Sequence, residues 1–265
     1  MAVFGPRVRR VIPVGAGGRT PPPLAATRKP PVPWQARDAI IIMVAGLGFL
    51  AAALITTLGI FELQAGDLQS SGPRAAISTL VSTGFFLFLL WMIYVLVVKR
   101  YRCSLRSLGL RSVSWQWLAA VPFVFALLTF SYVIMLRVMV GIFGPTVHWP
   151  KPLTSTTVAA THQPWLEALV ILTGVVLTPL AEELLFRGVL YQALRRTMPI
   201  GSAALISALI FSGMHLSIVL FVPLALMGFV LAVMFERSGS LVPTILVHAC
   251  NNGIILLITA GGATS

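Results

Sequence analysis

Read for hydrophobic and polar positions, the chain is a series of long apolar runs separated by short polar or basic breaks. The runs are predicted at about 39–61, 75–98 and 116–143, followed by a long helical pattern from Trp165 to Arg196 that contains Pro179. Two further apolar segments, about 200–217 and 219–235, are separated by almost nothing polar, and a last one covers about 241–260. Runs of roughly 20 residues at 1.5 Å rise each cross a bilayer, and apolar residues fill them on all sides rather than along one stripe. The expected fold is therefore all-α, a polytopic bundle of about seven (six to eight) transmembrane helices in one domain, 39–265. Pro179 predicts a kink or break in the fourth pattern.

Composition agrees. Of the 265 residues, 57% are hydrophobic and 10% charged, against about a quarter charged in a soluble domain. The net charge of +12 does not point to nucleic acid, because the basic residues flank apolar runs instead of interleaving with aromatics. Arg7, Arg9, Arg10, Arg19, Arg28, Lys29 and Arg37 precede the first run, and Lys99, Arg100, Arg102, Arg106 and Arg111 follow the second. That bias places the N-terminus in the cytoplasm. The segment 1–38, rich in arginine and proline, is expected to be a disordered cytoplasmic tail, with Asp38 as N-cap of the first helix. The first long apolar run begins only at Ala39 and is span-length, a poor fit to a cleaved signal peptide, so a bacterial inner membrane is the expected location. Cys103 and Cys250 fall in different environments, a basic loop and the last apolar run, and are read as free thiols.

The chemistry lies in polar residues placed where lipid would be. Among only seven carboxylates, Glu182 and Glu183 are adjacent inside an otherwise apolar helix, where an acidic residue costs about 2.5–3.5 kcal/mol on insertion scales. Glu183 and Arg187 are four apart, on one helix face, and are expected to form a structural ion pair. Glu182 points about 100° away, toward another helix or a polar cavity where it could hold a water molecule. His215 and His248 also sit in apolar segments, and either could meet a glutamate across a helix interface; His248 and Asn252, four apart, share one face. His148 and His162 fall in the polar stretch 144–164 and are weaker candidates. No serine or cysteine sits in a recognisable base-assisted motif.

These residues fall in three ordered motifs. Glu182-Glu183-Leu-Leu-Phe-Arg187, Phe211-x-x-x-His215 and His248-x-x-x-Asn252 resemble those of the CAAX protease and bacteriocin-processing (Abi) family, which includes the type II CAAX prenyl proteases. The resemblance covers roughly 165–255 and implies a catalytic core there, with Glu182, His215, His248 and Asn252 lining one cavity. It implies an intramembrane endopeptidase acting on a peptide or membrane-protein substrate, with lipidated substrates, as in eukaryotic relatives, among the candidates. Glu182, helped by His215, is expected to deprotonate the attacking water, while His248 and Asn252 donate hydrogen bonds to the oxyanion. No cofactor is favoured. A competing reading makes Glu182, His215 and His248 ligands of a catalytic zinc, although Asn252 suits an oxyanion better than a metal. A different class of function is a non-catalytic membrane partner of the same fold, as in bacteriocin self-immunity.

The expectation carries a geometric condition. A fourth helix descending straight from Trp165 leaves Glu182 in its inner half, while a full-length fifth helix carries His215 to the outer side. The two meet only if the fifth helix tilts or ends within the membrane, or if Pro179 breaks the fourth.

Overall fold

The computed structural model of the protein describes residues 32–63, 71–144 and 163–261. His148, His162 and most of the basic tail lie outside these residues. Among the described residues, seven helices follow one another in the order the apolar runs predict. Helix α1 is Ala36–Leu63, and α2 is Ser71–Ile93 continued by a π-wound stretch, Tyr94–Lys99. Helix α3 is Trp115–Phe143. Helix α4 runs unbroken from Pro164 to Arg195, followed by α5 (Ile200–Gly213), α6 (Ile218–Ser238) and α7 (Val242–Gly261). Five of the helices are long and apolar enough to span a bilayer, and the protein is an integral membrane protein.

Lipid would meet the outer faces of α1 to α3, where Leu54, Ile55, Phe123, Leu127 and Phe130 are exposed. The centre of the bundle is α4, in which every residue from Leu184 to Tyr191 is buried. Between α2 and α4 the hydroxyls of Thr83 and Thr173 meet at 2.8 Å, satisfying each other away from water.

Three expectations about local structure are revised. Val32 and Trp34 are buried, so the last residues of the segment assigned as a tail, 1–38, form a packed strap. Trp34 donates its indole N–H to the Val189 carbonyl at 3.1 Å and accepts from Arg196 Nη1 at 2.8 Å. Asp38 is not the N-cap but lies three residues into the turn, reaching back to the Gln35 amide at 2.8 Å as the acidic partner in a capping box does. Pro179, finally, does not break α4. It follows directly on a π-wound stretch, Leu172–Leu177, whose wider turn accommodates the ring and the missing N–H.

One of the alternatives in the geometric condition, a fifth helix too short to cross the membrane, describes α5. Its 14 residues rise about 21 Å, short of the ~30 Å hydrocarbon core, so the chain turns back inside the membrane. Leu216 at this turn has a left-handed backbone, φ 50°, and with Ile218 it is nearly fully exposed. Apolar side chains at such a tip suit a lipid surrounding. Counted from the α4–α5 connection, Glu182 and His215 lie at similar depth, each about 20 Å away at 1.5 Å per residue.

Candidate functional site

The glutamates sit on a short α-wound piece of α4, Thr178–Glu183, between the π-wound stretches Leu172–Leu177 and Leu184–Tyr191. Glu183 is fully buried, and its Oε1 accepts from Arg187 Nη1 at 2.7 Å. Arg187 is equally buried; its Nη2 donates to the Gly228 carbonyl at 3.2 Å, and its guanidinium carbon lies 4.8 Å from the centre of the Phe211 ring. Gly228 is required there, since a Cβ would come within 2.9 Å of the Ala208 backbone on α5. The close approach of α6 to α5 presents its carbonyl to the cation.

The same carboxylate oxygen of Glu183 contacts a second group, His248 Nδ1 on α7, at 3.0 Å. An ionised carboxylate only accepts, so Nδ1 carries the proton in this contact. The opposite nitrogen of the ring, Nε2, lies 3.6 Å from Oε2 of Glu182. Two adjacent glutamates thus address the two nitrogens of one imidazole. The Nε2 distance is too long for a hydrogen bond, and Glu182 Oε2 is buried without a hydrogen-bond partner although the side chain as a whole retains 14% exposure.

His215 stands apart from that cluster. No hydrogen bond or ion pair joins it to Glu182; its Nδ1 contacts the Phe211 carbonyl at 2.9 Å, and the residue is exposed. A carbonyl offers only lone pairs, so Nδ1 is again the protonated nitrogen, and neutral His215 carries its free lone pair on Nε2. Phe211 links the two imidazoles, its ring centre being 4.9 Å from that of His215 and 6.0 Å from that of His248. Asn252 uses one N–H on the Gly174 carbonyl of α4 at 3.0 Å, leaving the second N–H of its amide for another acceptor.

Sequence reasoning paired Glu183 with Arg187 but did not foresee His248 on the same oxygen, nor Phe211 between the rings. The four-residue spacing within a helix signals the former contact, whereas contacts between helices carry no such mark. Among the described residues no three His, Cys, Asp or Glu side chains converge as a metal site needs. Both Nδ1 atoms are engaged, which leaves Nε2 as the uncommitted nitrogen of each ring. Cys103 and Cys250 are both free thiols.

An all-helical bundle with an ion pair, Glu183 and Arg187, and the His248 imidazole buried together in its interior, beside Glu182, defines a membrane protein with an internal polar cluster. Residues 164–254 match the family model described as Type II CAAX prenyl endopeptidase Rce1-like, so this third of the chain is similar to that family. The match takes in all three motifs and leaves α1 to α3 outside it. No curated protein and no solved structure matches the chain closely enough to compare.

Proposed function

We propose that the protein is an intramembrane endopeptidase in which Glu182 is the base that activates water. The observation that carries this reading is the Glu182 carboxylate: buried at span depth, with one oxygen lacking a hydrogen-bond donor and facing His248 Nε2 at 3.6 Å. A buried carboxylate oxygen without a donor is costly, and a water or the reacting group supplies one. Glu182 takes a proton from the water as its oxygen attacks the peptide carbonyl, and the C–N bond then breaks as Glu182 returns the proton to the leaving amine. His215, with its lone pair on Nε2, assists the same water.

The oxyanion is met by His248 and by the second N–H of Asn252. His248 donates from Nε2 only as imidazolium, because Nδ1–H is committed to Glu183. In that form Glu182, Glu183, Arg187 and His248 carry two negative and two positive charges, a balance that suits a buried cluster. The placement of Glu183 supports a role in orienting His248 as well as pairing Arg187. Asn252, a poor zinc ligand but a good oxyanion donor, favours the metal-free form over a zinc one.

The exposed cations Arg37, Lys99, Arg100, Arg102, Arg106, Arg196 and Arg237 gather at one end of the bundle, where α1 begins and α2, α4 and α6 end. This supports a cytoplasmic N-terminus. The substrate is a peptide or a membrane-anchored protein reached at the bilayer.

Comparative peptidomics of cells expressing wild-type and Glu182→Ala protein tests the proposal: products present with the wild type should vanish with the variant. An unchanged peptide set would favour the non-catalytic partner reading, as in bacteriocin self-immunity. Full activity after exhaustive chelation, with no metal in the purified protein, separates the water-only reaction from a zinc one.

A further inference from the structure

In a π-wound turn each N–H bonds five residues back instead of four, so the backbone pairing slips and a carbonyl at the bulge is left over. Within a membrane that carbonyl needs a donor from elsewhere, because no water replaces it. Both π stretches of α4 receive side-chain donors on their carbonyls. Upstream of the glutamates, Asn252 of α7 donates to Gly174 at 3.0 Å. Downstream, Ser207 Oγ of α5 donates to the Phe186 carbonyl at 3.1 Å, Trp34 Nε1 to Val189 at 3.1 Å, and Gln192 Nε2 of α4 itself to Gly188 at 2.8 Å.

Two of the downstream donors, Trp34 and Ser207, come from outside α4 and are themselves buried, Trp34 completely and Ser207 almost so. Trp34 precedes the first helix and lies outside the family match, and the Arg196–Trp34 bond closes the strap onto the end of α4. One residue is about 100° of rotation in an α-helix, so an added or lost residue in a turn re-aims every side chain beyond it. Between the two bulges stand only the six residues Thr178–Glu183. Their aim is what brings Glu182 and Glu183 to the two nitrogens of His248.

We propose that Trp34 and Ser207 are positioning residues for the site: by donating to carbonyls within Leu184–Tyr191 they hold that stretch in π register, and so hold the two glutamates on His248. Neither touches the reacting atoms. The proposal rests on the reading of Glu182 and His248 as the reacting pair, but part of its test does not.

The experiment uses the full chain purified in detergent, with Trp34→Phe and Ser207→Ala removing the donors and Ser207→Thr restoring a hydroxyl. Amide hydrogen exchange in the 178–191 region should quicken at least tenfold in the first two variants, with α3 unchanged, and return to wild-type rates in Ser207→Thr. The ring-nitrogen NMR signals of His248, assigned with His248→Gln, should shift in the same two variants only. On a peptide cleaved by the wild type, or failing that an internally quenched prenylated CAAX peptide, kcat should fall at least tenfold with KM nearly unchanged. Wild-type exchange and an unshifted His248 signal in both Trp34→Phe and Ser207→Ala would overturn the proposal, as would loss of protection spread evenly over all helices. If exchange and the His248 signal respond as expected but the wild type cleaves no peptide, the peptidase reading fails and the clamp stands.

Discussion

His248 Nδ1 lies 3.0 Å from Glu183 Oε1, the oxygen that Arg187 also reaches at 2.7 Å. The contact turns what looks like an ion pair within one helix into a three-residue chain across two helices. Because the carboxylate can only accept, it fixes which imidazole nitrogen holds the proton and turns the other toward Glu182. A buried acid that orients a histidine for a neighbouring reacting group plays the part that the aspartate plays in a serine-protease triad.

Neutralising Glu183 should therefore damage both stability and turnover. In Glu183→Gln the guanidinium of Arg187 stays buried without its counter-charge, at a cost of about 3–5 kcal/mol. Thermal unfolding in detergent should show a large drop for this variant. Glu183→Leu combined with Arg187→Met removes both charges and should regain much of the lost stability. It should remain inactive in peptide cleavage, since His248 has lost its orienting acceptor.

Glu182 should respond in the opposite way. Its Oε2 is buried without a partner, so Glu182→Gln removes a costly charge and sacrifices no observed hydrogen bond at that atom. Unfolding should stay within about 1 kcal/mol of wild type or rise, while hydrolysis falls by about 10²–10⁴-fold as expected for loss of a general base. A destabilisation as large as that of Glu183→Gln would make Glu182 a structural residue and not the base.

The helix order and the membrane class were legible because apolar runs of span length need no partner to be recognised. Within the site, legibility followed sequence distance. Glu183 and Arg187 are four apart and were paired from spacing alone; His248 reaches Glu183 across 65 positions, and periodicity carries no information about such a contact. The halt of α5 at Gly213 was also hidden, because the apolar run continues through Leu216 and Ile218 and only the backbone turns. Trp34 was concealed for a related reason: a lone tryptophan among prolines and arginines has the composition of a tail, and its partner, the Val189 carbonyl, lies 155 positions along the chain.

Outside the membrane, the strap leaves a titratable mark. The Tyr101 hydroxyl donates to Asp38 Oδ2 at 2.9 Å, and burial first, then this bond to the carboxylate, raise the phenol above its ordinary value of 10.0. A phenol whose folded value is raised contributes stability that is fully present below the unfolded value, near pH 10, and is lost as pH climbs through the folded one. Wild type should therefore hold a constant advantage in unfolding midpoint over Tyr101→Phe from pH 7 to about pH 10, shrinking above it. An advantage that instead grows above pH 10 would mean that the phenolate is the favoured form.

Gly228 joins packing to chemistry at one backbone position. A methyl there would lie 2.9 Å from both Cα and Cβ of Ala208 and 3.3 Å from Phe211 Cδ1, and backbone cannot yield as a flexible side chain does. Gly228→Ala should push α6 from α5, lengthen the 3.2 Å bond from Arg187 to the Gly228 carbonyl and disturb Phe211 between the two histidines. Overpacking of this kind costs about 1–3 kcal/mol, against a gain of up to about 1 kcal/mol from replacing glycine with alanine in a helix. Net destabilisation with reduced cleavage is the expected outcome. Gly48→Ala in α1, where nothing lies within 4 Å of the added carbon, isolates the propensity gain and should leave the protein as stable as before or more so. If both variants gained stability alike, the α5–α6 contact would be looser than the structure draws it.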